Sequence, residues 1–145
     1  MVNNNIVEND HVSKRILLVD DEFDITTVYA MGLHDHGFKV DTFNDPLQAL
    51  SEFRCDWYAV ALIDYKMPKM SGSELYQEIM KLDDKVKVCF ITAFDVYHGE
   101  IKKEFQSNLN AKNHDDEGKL YEACFIQKPI DIDELVKRIK EVLSS

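Results

Sequence analysis

Five residues of this chain combine a chemically useful side chain with a place at the end of a short apolar run. The adjacent acids Asp20 and Asp21 follow "RILLV", and Asp64 ends "VALID". Thr92 lies near the end of "KVCFITA", and Lys128 ends "CFIQK". Carboxylates brought together repel one another unless a cation relieves them. The set therefore indicates a site for a hard cation, and Mg²⁺ fits because it binds a few carboxylates together with phosphate oxygens.

The same residue types supply the parts needed to accept a phosphoryl group. A carboxylate such as Asp64 can attack phosphorus and become an aspartyl phosphate. A metal ion and Lys128 would neutralise the oxygens of the transferred group, and the Thr92 hydroxyl would bond one of them. Each residue alone has a simpler explanation, because aspartate often caps helices, threonine favours strands and lysine is usually a solvated charge. The combination of these residue types is what indicates a site that accepts a phosphoryl group.

The elements that must position these residues alternate between strand and helix patterns. Short apolar or alternating runs predict five strands, at 15–20, 38–43, 57–64, 86–94 and 124–129. Helical spacing between and after them predicts five helices. Such alternation favours a parallel sheet with right-handed crossovers and helices on both faces. Sites in such sheets lie at the carboxyl ends of the strands, where all five residues fall.

Capping residues mark several of the predicted helices. Asp45 followed by Pro46 opens the second helix, and Gly37 closes the first. Asp131, with Glu134 three residues later, opens the last. The positions predicted to follow one apolar face are Ile25, Val28, Tyr29, Gly32 and Leu33 in the first helix, Leu75, Ile79 and Leu82 in the third, and Ile132, Leu135, Val136, Ile139, Val142 and Leu143 in the last.

Composition narrows the functional class. The 145 residues favour one domain, and the net charge of −10 argues against direct nucleic-acid binding. No apolar run approaches the roughly 20 residues of a membrane span, and the N-terminus lacks a signal core, which favours a cytoplasmic location. Cys55, Cys89 and Cys124 show no metal-ligand spacing. Cys89 and Cys124 lie in strand-like runs and are predicted to be small core residues in a reducing compartment.

The motifs "ILLVDDE", "LIDYKMPKMSG", "FITAF" and "FIQKP", in that order, resemble those of the receiver domain of two-component response regulators, including single-domain chemotaxis regulators. The resemblance covers residues 15–143, nearly the whole chain. It implies a flavodoxin-like (βα)5 three-layer sandwich with a parallel sheet of order 2-1-3-4-5. It also implies a signalling phosphoprotein that is no enzyme beyond its own phosphorylation and dephosphorylation.

The resemblance assigns the acceptor and metal-binding roles. Asp64 matches the residue that takes a phosphoryl group from a histidine kinase or a phosphotransfer protein. Asp20 and Asp21 match the acidic pair that holds Mg²⁺, with Asp21 as the direct ligand and Asp20 acting largely through water. The backbone carbonyl of Lys66, two residues after the acceptor, would complete the metal shell.

The remaining matches concern the response to phosphorylation. Thr92 matches the switch hydroxyl, and Lys128 matches the lysine that contacts phosphate. Phe125, three residues before Lys128, falls at the switch-aromatic position. It has no hydroxyl, so any inward movement would be driven by packing alone. The alternative is that Phe125 is a plain core aromatic on the last strand.

Two features depart from the usual pattern of the family. The span from Thr92 to Lys128 is longer by roughly a dozen residues, which predicts an insertion around 106–120. The insertion puts the usual dimer mode in question, so we expect a monomer or a weak homodimer. We predict a flexible tail at 1–14 and a receiver domain at 15–145. No DNA-binding segment or output enzyme follows the last predicted helix, so the chain is either a stand-alone receiver or a piece of a longer regulator, with an unknown downstream protein partner and no membrane contact.

Two other functions compete with the phosphoacceptor. One is a phosphate-independent, receiver-like binding module. The other is a Mg²⁺-dependent phosphohydrolase with a covalent aspartyl intermediate. Phosphohydrolases of that kind commonly place the nucleophile on the first strand with a second acid two residues later. In this chain the first strand ends in adjacent acids and the best nucleophile, Asp64, lies on the third strand, which argues against the phosphohydrolase.

Overall fold

The computed structural model describes residues 15–93 and 124–144, which contain a five-stranded parallel sheet. Its strands are β1 (Arg15–Val19), β2 (Lys39–Phe43), β3 (Val60–Asp64), β4 (Lys87–Ala93) and β5 (Cys124–Lys128). Their order is β2-β1-β3-β4-β5, and each neighbouring pair is parallel. This confirms the flavodoxin-like fold and the predicted strand order. The alternating run at 38–43 forms β2, which lies at one edge of this sheet.

The described ranges contain four helices. They are α1 (Phe23–Asp35), α2 (Pro46–Ser51), α3 (Gly72–Leu82) and α4 (Ile132–Ser144). Among the described residues, no helix has the length and apolar character to cross a membrane. The helix predicted between β4 and β5, the tail at 1–14 and the insertion around 106–120 lie outside the described residues.

The sheet has an apolar core on each face. Along β1, Leu17 and Val19 join the cluster under α2 and α3, whereas Ile16 and Leu18 join the cluster under α1 and α4. Because successive strand residues point to opposite faces, a strand covered on both sides must be apolar throughout. This is why "ILLV" is a continuous apolar run, and why polar residues of the central strands are confined to their ends.

The predicted caps are present. The Asp45 carboxylate accepts a hydrogen bond from the Leu47 N–H at 2.9 Å, with Pro46 as the first residue of α2. Gly37 adopts a φ of 92°, and its N–H donates to the His34 carbonyl at 3.0 Å, which ends α1 in a Schellman-type turn. Asp131 accepts from the Glu134 N–H at 2.8 Å at the start of α4.

Two residues predicted on apolar helix faces point to solvent instead. Val28 of α1 is 57% exposed and Leu82 of α3 is 49% exposed. On α1, Thr26 is buried instead of Val28. Its hydroxyl donates a hydrogen bond to the Phe23 carbonyl at 3.0 Å, so the buried polar group has a partner. Leu82 is the last residue of α3, whereas Ile79, one turn earlier, is fully buried. The prediction of an inward face was wrong at these two positions.

Candidate functional site

Three acids gather where β1 and β3 end. Asp20 directly follows β1 and Asp64 is the last residue of the neighbouring strand β3, so both leave the sheet at the same edge. Carboxylate oxygens of Asp20, Asp21 and Asp64 all lie within 4.8 Å of one another. Asp20 is 1% exposed and Asp64 is 7% exposed, whereas Asp21 faces solvent. Two of the three clustered carboxyl groups are therefore removed from water.

Hydrogen bonds fix both the side chain and the backbone of Asp20. Its two carboxylate oxygens accept from the Glu22 N–H at 2.9 Å and from the Lys128 ammonium at 2.8 Å. Its N–H donates to the Phe43 carbonyl at 3.1 Å, and its carbonyl accepts from the Asn44 side-chain amide at 2.8 Å. The buried charge of Asp20 is thus compensated and its position fixed.

Asn44 was not identified from the sequence. Its side-chain amide bridges the Asp20 carbonyl and, at 3.0 Å, the Thr26 hydroxyl of α1. It therefore ties the loop that carries the acids to both β2 and α1. Its position after a strand is only a weak signal, because a lone polar residue there is most often a turn former.

Lys128 reaches the acids from the end of β5. Its ammonium lies 2.8 Å from an Asp20 oxygen, 3.6 Å from an Asp64 oxygen and 4.0 Å from a Glu22 oxygen. Burial lowers the pKa of Lys128, but its hydrogen bond to Asp20 and the neighbouring acidic charges outweigh burial, so the pKa lies above its ordinary value. Lys128 is therefore an ammonium ion at every physiological pH.

Asp64 is less well compensated than Asp20. Burial, followed by the negative charge of Asp20, raises the pKa of Asp64 to about 7. A hydrogen bond with Asp21 raises it further, and only the Lys128 charge opposes these effects. Without a cation, Asp64 thus retains a proton almost to neutral pH. A divalent cation beside it would favour the ionised form.

The donor set fits a hard divalent cation. Such ions prefer carboxylate ligands. Burial and the negative charge of Asp20, which raise the pKa of Asp64, are effects that a nearby cation would oppose. Both oxygens of Asp20 already have partners, whereas Asp21 is exposed beside the cluster. Lys66 is exposed in the turn two residues after Asp64, before α3. The role of its backbone carbonyl stays a prediction.

Thr92 and Phe125 lie on one face of the sheet. Phe125 is the register partner of Phe90, two residues before Thr92, and the two rings stack with centroids 5.3 Å apart. Thr92 is 1% exposed, and its hydroxyl makes a long contact of 3.4 Å with the Ala93 carbonyl oxygen. Their proposed roles as switch residues stay predictions.

The turn after Asp64 is set by a close approach of α3 to β3. The Gly72 N–H donates to the Tyr65 carbonyl at 2.7 Å, and a Cβ atom at Gly72 would lie 2.4 Å from the Asp64 carbonyl oxygen. Ser71 and Glu74 form a capping box at the start of α3. Sequence reasoning missed this box, although a serine followed three residues later by glutamate is its usual signal.

Comparison with known proteins agrees with this geometry. The family model described as the response regulator receiver domain matches residues 16–140. A CpxR homolog, a transcriptional regulatory protein of Haemophilus influenzae, is 35% identical over 130 residues, which are 89% of this chain and 50% of that protein. This chain thus spans about half the length of that regulator. The response regulator receiver protein CpdR of Brucella abortus is 28% identical, with 90% of this chain and 97% of that protein covered.

Solved structures show the same architecture. A CheY-like receiver domain protein of Methanospirillum hungatei is 27% identical with a TM-score of 0.67, covering 90% of this chain and 94% of that one. The HemR receiver domain of Leptospira biflexa, at 24% identity and a TM-score of 0.71 over the same shares of the two chains, is similar in fold. With the family match and the acidic strand-end cluster, these findings show that the chain belongs to the receiver domains of two-component response regulators.

Proposed function

We propose that Asp64 accepts a phosphoryl group from a histidine kinase or a phosphotransfer protein, with Mg²⁺ as the cofactor. The observation that carries the proposal is the cluster of three acids, with oxygens within 4.8 Å, contacted by the Lys128 ammonium at 2.8 and 3.6 Å. The residues assigned to the metal are Asp20, Asp21, Asp64 and the backbone carbonyl of Lys66.

The chemistry assigned to the chain is a single displacement. An oxygen of the ionised Asp64 forms a bond to phosphorus while the bond from phosphorus to the donor breaks. Bound Mg²⁺ supplies positive charge that offsets the acids and the phosphoryl oxygens. Lys128, which is 3.6 Å from the acceptor carboxylate, supplies a second positive charge. The buried Thr92 supplies a hydroxyl at the end of β4 for a phosphoryl oxygen.

The proposed output is a shift between two surfaces of one protein. Thr92 and Phe125 would respond to the phosphoryl group, and the altered surface would bind a downstream protein. In this proposal the chain is a cytoplasmic receiver at 15–145, a monomer or weak homodimer, that catalyses only its own phosphorylation and dephosphorylation. It would contact neither nucleic acid nor a membrane directly.

The test is incubation with Mg²⁺ and acetyl phosphate, followed by intact mass measurement. We expect a gain of about 80 Da, the mass of one phosphoryl group, which Asp64→Asn should abolish. Asp83→Asn is the matched control, because Asp83 is a buried aspartate outside the acidic cluster, at the C-terminal end of α3. It should take up phosphate like the unaltered chain.

Two outcomes would replace the proposal. A folded chain that gains no phosphoryl group from acetyl phosphate, and shows no NMR change with beryllofluoride and Mg²⁺, would be a phosphate-independent binding module. Multiple turnover of an ordinary phosphate ester, lost in Asp64→Asn, would indicate the phosphohydrolase instead. The family match favours the phosphoacceptor over both.

A further inference from the structure

A pair of cysteines bridges β4 and β5 on the sheet face opposite Phe125. Cys89 and Cys124 are register partners in these parallel strands, so their side chains lie side by side. Both belong to the apolar layer under α1 and α4, where Cys89 is fully buried and Cys124 is partly buried. The Cys89 thiol forms a hydrogen bond with the Cys124 sulfur. Neither residue belongs to the phosphoryl site.

A guanidinium is fixed against the outer cysteine. Arg138 of α4 places Nη2 3.2 Å from the Cys124 sulfur and 3.1 Å from the Phe125 carbonyl oxygen. Its Nε lies 3.9 Å from Glu141, one turn further along α4. A buried structural thiol has no need of such a cation, whereas a thiolate is stabilised by one.

The surroundings make the two sulfurs chemically different. The hydrogen bond from Cys89 lowers the pKa of Cys124 to about 7 against the effect of burial, and the charge of Arg138 lowers it further. The Glu141 charge acts in the opposite direction. The Cys124 sulfur, followed by burial, raises the pKa of Cys89. Near neutral pH Cys124 is thus the sulfur of the pair that ionises more readily, and Cys89 is the one that keeps its proton.

We propose that Cys89 and Cys124 form an oxidation site, at which a hydroperoxide oxidises Cys124 and Cys89 then closes a disulfide between β4 and β5. Adjacent strands lie about 4.8 Å apart. This spacing falls within the Cα–Cα range of roughly 4.4–6.8 Å that disulfides span. The site adds a redox-dependent crosslink to a domain whose proposed chemistry uses neither cysteine.

The reaction proceeds in two balanced steps. The Cys124 thiolate attacks one oxygen of hydrogen peroxide, the O–O bond breaks, and hydroxide leaves and takes up a proton as the sulfur becomes a sulfenic acid. The Cys89 sulfur then attacks the Cys124 sulfur, the S–O bond breaks, and the thiol proton leaves with the hydroxyl group as water. The two sulfurs lose two electrons, which the peroxide accepts in forming two molecules of water.

The order of attack follows from exposure. Cys124 is partly exposed and lies beside Arg138, so a small oxidant reaches it first. Cys89 is fully buried and is suited to act second, on the neighbouring sulfur. Cys55, the third cysteine, is exposed and its thiol donates to the Leu82 carbonyl. Oxidation of Cys55 would report only the reactivity of an exposed thiol, so Cys55 is replaced by serine before the test.

The decisive experiment treats the Cys55→Ser protein with hydrogen peroxide at neutral pH and measures its intact mass. We expect a loss of about 2 Da that dithiothreitol reverses, with peptide mapping that joins Cys89 to Cys124. A folded protein that retains both thiols while a small free thiol in the same tube is oxidised would overturn the proposal. So would a protein that only gains oxygen, or that crosslinks only between chains.

Variants in the same background test the separate roles. Cys89→Ser should leave a sulfenic acid at Cys124 that dimedone traps, and Cys124→Ser should give no dimedone adduct. Arg138→Met should slow oxidation at neutral pH by about tenfold, and Arg138→Lys should restore part of the rate, because a charge near the sulfur favours the thiolate. Equal rates in the two Arg138 variants, or a dimedone adduct on Cys89 in the Cys124→Ser protein, would contradict the assigned roles. Circular dichroism establishes that each variant is folded.

Discussion

Asp20 and Asp64 are both buried acids, yet the fold treats them differently. Asp20 has a hydrogen-bond donor on each oxygen, including the Lys128 ammonium at 2.8 Å. The Lys128 ammonium lies further from Asp64, at 3.6 Å from the nearer carboxylate oxygen. The pKa of Asp64 is raised to about 7. The carboxylate with the least compensated charge is thus the one proposed to form the bond to phosphorus. Because Lys128 pairs closely with Asp20, Asp64 is the buried carboxyl group that still lacks a close positive charge.

Asp64→Asn should stabilise the metal-free protein at alkaline pH. The folded chain holds a proton on Asp64 up to a pKa of about 7, whereas an unfolded aspartate loses it near its ordinary value of 3.8. Stability therefore falls as pH rises between these values, and the loss is complete above the folded-state pKa. We expect the variant to gain on the order of 1–2 kcal/mol at pH 8 and little at pH 4.

Urea denaturation with a chelator present, at both pH values, measures this difference. The same measurement on Asp83→Asn controls for loss of any buried aspartate. A gain for Asp64→Asn that does not depend on pH, or a loss of stability at pH 8, would show that the raised pKa of Asp64 is not the cause.

Asp21→Asn should weaken Mg²⁺ binding. An ion that binds only the folded state stabilises it by an amount that grows with the logarithm of the ion concentration divided by its dissociation constant. Asp21 is the acid of the cluster that is exposed to solvent. We expect the affinity measured from a Mg²⁺ titration of the melting temperature to fall on the order of tenfold. Asp24→Asn, in the first turn of α1, is the control and should respond to Mg²⁺ like the unaltered chain. Identical titrations for Asp21→Asn and the unaltered chain would remove Asp21 from the metal site.

At the scale of elements, the junction of β3 with α3 carries Asp64, the proposed acceptor. The first residue of α3 packs directly on the last residue of β3, because Gly72 has no Cβ to hold them apart. The capping box of Ser71 and Glu74 then fixes the direction in which the helix leaves. The orientation of Asp64 depends on both contacts.

Gly72→Ala should destabilise the domain and disturb the acceptor. The added Cβ would lie 2.4 Å from the Asp64 carbonyl oxygen and 2.8 Å from the Tyr65 Cα, and both are backbone atoms that cannot move aside locally. We expect a loss of about 2 kcal/mol or more in the free energy of unfolding, together with slower labelling by acetyl phosphate. Ser71→Ala should cost about 1 kcal/mol by losing its cap. A Gly72→Ala protein as stable and as readily labelled as the unaltered chain would contradict the close approach.

The sequence predicted what local patterns determine. Strand ends at Asp64 and Lys128 follow from apolar runs, and the caps at Asp45 and Asp131 follow from the preferences of single residues. It did not predict which flank of α1 is buried, because Val28 and Thr26 lie about 160° apart around the helix, on either side of Tyr29. The apolar Val28 was expected to be buried, but Thr26 is buried instead, with its hydroxyl donating to the Phe23 carbonyl. The role of Gly72 could not be predicted either, because it depends on the contact between α3 and β3 in the folded chain.

Asn44 shows the same limit at the site. Its two hydrogen-bond partners, the Asp20 carbonyl and the Thr26 hydroxyl, are 24 and 18 residues away in sequence. No local pattern relates an asparagine after β2 to acids after β1. The residues of the proposed site could be predicted because strand order brings them together, but the residues that hold them in place depend on side-chain packing in three dimensions.

At the scale of the whole molecule, the two ends of the sheet carry two separate clusters of polar side chains. The acids lie at the carboxyl ends of the strands. Toward the other end, Asp41 of β2 accepts from the Arg15 guanidinium at 3.2 Å, the Trp57 indole N–H at 3.3 Å and the Tyr58 hydroxyl at 2.9 Å. Arg15 and Arg54 also lie over the Trp57 ring, at 4.3 and 3.9 Å from its centroid. This polar cluster joins β1, β2 and the segment before β3 without touching the acids.

Asp41→Ala should therefore lower stability without impairing phosphoryl acceptance. It removes one acceptor from three donors, among them the buried Tyr58 hydroxyl, which we expect to cost about 1–3 kcal/mol in the free energy of unfolding. Acetyl phosphate should still label Asp64 at the rate of the unaltered chain when both are folded. Urea denaturation and intact mass, run on the same samples, measure the two effects. Loss of labelling in a fully folded variant would show that the two ends are coupled.

The bond between Lys128 and Asp20 joins residues 108 positions apart, one after the first strand and the other at the end of the fifth. A ribosome making this chain therefore releases Asp20, Asp21 and Asp64 long before the lysine that offsets their charge. A nascent chain that ends before β5 would expose three acids without that lysine, and we expect it to be a poor acceptor. Sensitivity to a kinase would then begin only when the sheet is complete, so half-made molecules could not divert phosphate from finished ones.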